Sequence, residues 1–212
     1  MENREEKHTV WYRLSRVASF VLHPLLMPVW LLLVLFGTGM LPVYLPVGVR
    51  NYILTVVVVD TLAVPALGIL LLHVFGLAGD RSLPRRGDRT LPMLVAALCY
   101  GLCAWMLGSS PMLFLLRRMM LAAMACTLFA LAVNLRWPVS LHMTAVGAAV
   151  GMVSVFLYAG YTHLVWIFCG AVLCAGMLGS ARLYLGRHTP AQVAAGFAAG
   201  FIIMVAVLLL AR

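Results

Sequence analysis

The chain alternates between long apolar runs and short polar stretches. About seven of the runs are long enough for a helix to cross a hydrocarbon core about 30 Å thick. They cover residues 16–38, 51–76, 93–109, 117–135, 141–159, 163–182 and 191–211. The pattern predicts an all-α polytopic membrane bundle, with an interfacial segment at 1–15 and a single transmembrane domain at 16–212.

Two prolines interrupt the first apolar run. They lie in the stretch His23-Pro24-Leu25-Leu26-Met27-Pro28. Proline removes a helical hydrogen bond and its ring clashes with the preceding turn. If this stretch folds back as a re-entrant loop, the number of crossings is six instead of seven.

Composition identifies lipid as the solvent. Apolar residues make up 64% of the 212 residues, charged residues make up 10%, and the mean hydropathy is +1.05. A soluble domain carries about a quarter charged residues. The net charge of +9 does not indicate a nucleic-acid partner, because the basic residues lie at the ends of the predicted spans.

The distribution of basic residues predicts the orientation. Seven crossings place one group of eleven on the face that holds the N-terminus: Arg4, Lys7, Arg13, Arg16, Arg81, Arg85, Arg86, Arg89, Arg136, Arg182 and Arg187. The opposite face receives four: Arg50, Arg117, Arg118 and Arg212. Cytoplasmic loops carry the excess of Lys and Arg, so the first face is predicted to be cytoplasmic.

Three polar clusters interrupt the apolar runs at residues 80–92, 134–142 and 182–192. An even number of predicted spans separates any two of them, so all three are expected on the cytoplasmic face. Arginine offers a planar fork of donors that matches phosphate oxygens, and histidine can attack phosphorus or donate a proton near neutral pH. The clusters therefore predict a phosphate site, although arginines at helix ends also serve as topology signals.

The third cluster resembles the last motif of the type 2 phosphatidic acid phosphatase superfamily, S-R-x5-H-x3-D. Arg182, His188 and Gln192 have that spacing, with Gln192 in place of the aspartate. Ser140 and His142 resemble the family's P-S-G-H motif. The resemblance covers about residues 80–205. The pattern as a whole resembles a divergent bacterial branch of the superfamily, which implies a multi-pass protein of the bacterial inner membrane.

The family's first motif, K-x6-R-P, is matched only in residue type: basic residues and a proline are present, but not at the motif's spacing. Arg89 and Pro92 follow Arg81, Arg85 and Arg86, but the spacing differs from that of the motif.

The resemblance implies a role for each matching residue. His188 would be the nucleophile that forms a phosphohistidine, and His142 would be the general acid for the leaving oxygen. Arg182 would hold the phosphate oxygens, and Ser140 would add a donor. Arg85, Arg86 and Arg89 of the first cluster are also expected to bind phosphate. The scheme requires no metal and no other cofactor.

Gln192 leaves two functional hypotheses open, an enzyme and a non-catalytic protein. Its amide oxygen can accept the imidazole N–H of His188, but it lacks the negative charge that stabilises an imidazolium. One hypothesis is an enzyme that binds and hydrolyses a lipid phosphate or diphosphate. The alternative is a non-catalytic membrane protein that binds or translocates an anionic lipid.

Two pairs of glycines have the spacing that lets membrane helices approach closely. Gly147 with Gly151, and Gly196 with Gly200, fit the small-x3-small pattern. The pattern suits packing within the chain and a homodimer equally.

Overall fold

The structure is a computed structural model that describes residues 10–41, 45–75, 90–108 and 113–210. Within these ranges the chain forms nine α-helices and no strand. They are α1 Val10–Val21, α2 Met27–Gly37, α3 Val47–Val58, α4 Val64–Val74, α5 Thr90–Met106, α6 Phe114–Asn134, α7 Leu141–Tyr158, α8 Val165–Tyr184 and α9 Pro190–Leu210. A π-helical segment, Val59–Ala63, joins α3 to α4, and a short 3-10 helix, Thr162–Leu164, precedes α8.

Five helices in the described part of the chain are long and apolar enough to cross a membrane. They are Val47–Leu72, Phe114–Asn134, Leu141–Tyr158, Thr162–Tyr184 and Pro190–Leu210. Met27–Gly37 and Thr90–Met106 are apolar but shorter. The predicted all-α membrane bundle is confirmed at this level, and the count of seven crossings stays a prediction.

The first predicted span, 16–38, is not one helix. It is divided at the His-Pro stretch into α1 and α2, because Pro24 cannot donate a helical hydrogen bond. The indole N–H of Trp30 donates to the Val21 carbonyl (2.9 Å), and the Tyr100 hydroxyl donates to the Pro24 carbonyl (3.3 Å). These donors bond carbonyls at the break, which lets irregular backbone persist among apolar helices.

Helix α1 is an amphipathic helix on the side of the bundle. It runs through the predicted boundary between residues 15 and 16, so the interfacial segment and the first part of the transmembrane domain form one element. None of its residues is fully buried, and it packs along α8. Trp11 and Phe20 are about two-thirds exposed or more, at 68% and 73%.

The glycines bring α7 and α9 into direct backbone contact. A methyl group on Gly147 would collide with the Phe197 carbonyl, and one on Gly200 would collide with the Thr144 carbonyl. The predicted small-residue spacing therefore serves packing within the chain. The close approach places the beginning of α7 beside the beginning of α9.

Candidate functional site

The turn between α8 and α9 is built by two local motifs. At the end of α8, the Arg187 N–H donates to the Arg182 carbonyl (3.1 Å) and the Gly186 N–H donates to the Leu183 carbonyl (2.9 Å). These bonds form a Schellman motif, in which Gly186 takes a left-handed φ of 61°. The chain therefore reverses within a few residues and keeps Arg182, Arg187 and His188 on one cavity.

A capping box begins α9. The Thr189 hydroxyl accepts the Gln192 N–H (3.4 Å), and the Gln192 side-chain oxygen accepts the Thr189 N–H (3.0 Å). Pro190 occupies the first helical position, where its missing N–H costs nothing. Gln192 thus has a structural role that the sequence spacing T-x-x-Q already contains.

The same Gln192 oxygen orients His188. It lies 3.3 Å from Nδ1 of the imidazole. Because the Thr189 N–H identifies this atom as the amide oxygen, which can only accept, Nδ1 is the protonated nitrogen of His188. The lone pair of the neutral ring is then on Nε2, as a nucleophile toward phosphorus requires.

His142 lies at the start of α7 and contacts α1. Its Nε2 is 3.1 Å from the carbonyl oxygen of Ser19, so Nε2–H is the donor and the neutral ring carries its lone pair on Nδ1. To act as a general acid in this arrangement, His142 needs a second proton on Nδ1 or must release Ser19. The ring therefore lies beside the site, but in this neutral form it has no proton on Nδ1 to donate.

His23 stands at the break between α1 and α2. Its Nδ1 accepts the Leu25 N–H (3.3 Å), and its ring meets His142 edge to face with centroids 5.2 Å apart. Burial, and then the positive charge of Arg182, lower the pKa of His23 from its ordinary 6.5. His23 is therefore neutral at pH 7 and adds polarity to the cavity without adding charge.

These elements enclose a cavity of about 560 Å³. Polar and charged side chains from α1, the α1–α2 break, α6, α7, α8 and the α8–α9 turn share its wall: Tyr12, Arg16, Ser19, His23, Asn134, His142, Arg182, Arg187 and His188. Phe20, Met93, Val139, Leu141 and Leu185 complete the lining. Three guanidinium groups and no carboxylate are found among these described lining residues, so the cavity is electropositive and suits an anion.

The sequence-predicted residues divide into three groups. His142, Arg182 and His188 line the cavity, and Gln192 supports His188 from behind. Ser140 is fully buried and does not line the cavity, and its N–H donates to the Gln192 carbonyl (3.4 Å).

The predicted phosphate ligands Arg85, Arg86 and Arg89 lie outside the described residues. Met93, one turn into α5, lines the cavity.

Six polar residues of the wall were not predicted as site residues: Tyr12, Arg16, Ser19, His23, Asn134 and Arg187. Two of them, Asn134 and Arg187, lie in the predicted polar clusters. A signal was present at His23, since an ionisable residue followed by proline inside an apolar run is costly and marks a functional position. Arg16 and Tyr12 reach the cavity only because α1 packs on α8, which no local pattern predicts.

Comparison with protein-family models, with curated proteins and with solved structures finds no match to this chain.

Proposed function

We propose that this protein is a multi-pass membrane protein, with about seven crossings of a bacterial inner membrane, that binds the phosphate or diphosphate of a membrane lipid. The observation that carries the proposal is the electropositive cavity that joins His142, Arg182 and His188. Arg182 and His188 also have the spacing of the last motif of the type 2 phosphatidic acid phosphatase superfamily, and His142 with Ser140 resembles that family's P-S-G-H motif. The predicted orientation puts the cavity on the cytoplasmic side.

A lipid is favoured over a soluble phosphate by the surroundings of the cavity. Helix α1 turns its polar face to the cavity and its apolar face to a groove of about 990 Å³ against α8. Trp11, Leu14, Val21, Leu173 and Met177 are among the groove's lining residues. Charged and apolar surfaces thus meet along one helix, as a ligand with a charged head and a hydrocarbon chain requires.

Hydrolysis would follow from the imidazole geometry. Nε2 of His188 would attack phosphorus as the bond from phosphorus to the lipid oxygen breaks, while His142 in its protonated form would give its Nδ1 proton to that oxygen. Arg182 would balance the charge on the remaining phosphate oxygens. Water would then cleave the phosphohistidine, releasing phosphate and restoring His188.

One observation favours the non-catalytic alternative, a protein that binds or translocates an anionic lipid. The group that orients His188 is a neutral amide that also caps α9. A neutral amide gives the imidazolium no charge stabilisation.

Phosphate release from lipid phosphates and diphosphates tests the proposal. The purified protein in detergent is compared with His188→Ala and with His163→Ala, a matched change at an exposed histidine outside the cavity. We expect release by the wild type and by His163→Ala, and only background release by His188→Ala. Release by His188→Ala equal to that of the wild type contradicts the nucleophile, and a silent wild type that still binds lipid phosphate selects the non-catalytic alternative.

A further inference from the structure

Helix α1 forms a wall of the site that is separate from the phosphatase-like residues. Tyr12, Arg16 and Ser19 line the cavity, and their spacings of four and seven residues put them on one face of α1, while His23 lines it from the break after the helix. They lie outside the stretch of about residues 80–205 that carries the family resemblance. The wall therefore adds recognition that the motif residues alone do not provide.

Arg16 is displaced along α1 from the group that surrounds His188. The α1 residue bonded to His142 is Ser19, and Arg16 precedes it by three residues, about 4.5 Å along the helix axis. Side chains on a helix also lean toward its N-terminus, which carries the guanidinium farther from His142. Its guanidinium is 6.0 Å from the Tyr12 ring centroid, and the residue is exposed.

The cavity thus takes positive charge from two elements. Arg182 at the end of α8 and Arg187 on the following turn accompany His188, whereas Arg16 of α1 lies about one helical turn before Ser19, the residue bonded to His142. A single phosphate that contacts His188 and Arg182 leaves Arg16 without an anion to bind. A second phosphate bonded to the first would extend the ligand toward it.

We infer that α1 recognises a second phosphate group through Arg16, so that the preferred ligand of the cavity is a lipid diphosphate. The inference rests on the proposed function, since the first phosphate is the one held by Arg182 beside His188. Arginine is suited to this role because its planar fork can bind two oxygens of one phosphate.

Binding of two farnesyl analogues tests the inference. One ends in a phosphonate and the other in a methylenebisphosphonate, with every phosphorus bonded through carbon so that neither is hydrolysed. We expect the bisphosphonate to bind the wild type about tenfold more tightly or better, the value of one charged hydrogen-bonding group. Methylenebisphosphonate without the chain is expected to bind more weakly than the farnesyl bisphosphonate, which separates a lipid from a free diphosphate.

Arg16→Gln tests whether Arg16 causes the preference for the bisphosphonate over the phosphonate, and Arg13→Gln is its matched control. Arg13 lies on the same exposed helix but does not line the cavity. We expect Arg16→Gln to lose about tenfold in bisphosphonate affinity and less than about twofold in phosphonate affinity, while Arg13→Gln changes neither. Because Arg16 is exposed, the change leaves the packing of the bundle intact.

Three results would overturn the inference. They are equal affinity of the wild type for both analogues, equal weakening of both by Arg16→Gln, and a chain-free bisphosphonate that binds as tightly as the farnesyl one. The proposed function survives the first two of these results. If neither farnesyl analogue binds the wild type, the proposed function fails together with the inference.

Discussion

Two groups share the amide oxygen of Gln192. The Thr189 N–H caps α9 through it at 3.0 Å, and Nδ1 of His188 approaches it at 3.3 Å. The helix cap therefore fixes the same atom that fixes the imidazole tautomer. An aspartate at this position would supply charge as well as orientation, whereas the glutamine supplies only the orientation.

Gln192→Glu is expected to increase phosphate release. Glutamate has the same length, completes an equivalent capping box and adds a negative charge facing Nδ1 of His188. A charged acceptor is stronger than a neutral one by about 1 to 2 kcal/mol, so we expect a gain of about tenfold in turnover in detergent assays. Gln192→Ala, which removes the oxygen, should lower release, and a decrease in Gln192→Glu would contradict the role given to this side chain.

His23 is expected to make stability depend on pH. Burial and Arg182 lower its pKa from 6.5, so the folded state resists a proton that the unfolded state accepts. This contribution is complete above about pH 6.5 and is lost as the pH falls from there toward the folded-state pKa. Protonation would also place the positive charge of His23 against the ring of His142.

His23→Asn tests this dependence, because an asparagine oxygen can accept the Leu25 N–H without titrating. Between pH 7.5 and pH 5.5 the thermal midpoint of the variant in detergent should fall less than that of the wild type. His163→Asn, at an exposed position, serves as the control. Equal pH dependence of His23→Asn and the wild type would contradict the assignment.

At the scale of elements, the α7–α9 contact holds the two histidine-bearing segments together. His142 is the second residue of α7, and His188 lies two residues before α9. The glycines let the two backbones touch, so the separation of these segments depends on residues without side chains.

Gly200→Ala is expected to separate α7 from α9. The added methyl group would meet the carbonyl of Thr144 and the amide nitrogen of Ala148, and backbone atoms cannot rotate away. We expect a loss of about 1 to 3 kcal/mol in the free energy of unfolding, with weaker binding of lipid phosphate. Gly170→Ala in α8 meets nothing within 4 Å and should be neutral; equal stability of the two variants would refute the close contact.

Apolar run length predicted α5 to α9, because each of these runs became one helix, whereas the run 51–76 became α3, the π-helical segment and α4. The predicted runs 117–135 and 141–159 correspond to α6 and α7 within a few residues. The break between α1 and α2 could be suspected from Pro24 but not located, since Tyr100 and Trp30 stabilise it from distant positions.

At the scale of the whole molecule, the site is an assembly of segments far apart in sequence. The bond from His142 to Ser19 spans 123 residues and joins α7 to α1. Spacing within the chain could predict Arg182, His188 and His142, because each lies in a short motif. Arg16, by contrast, becomes part of the cavity only through the packing of α1 on α8.

The central claim is that this cavity binds the phosphate of a membrane lipid. The most direct measurement is the dissociation constant of farnesyl phosphonate for the wild type, for Arg182→Gln and for Arg136→Gln. Arg136 is exposed and does not line the cavity. The account predicts that Arg182→Gln weakens binding by about tenfold or more and that Arg136→Gln binds as the wild type does, whereas equal affinity of all three proteins, or no binding by any, would contradict it.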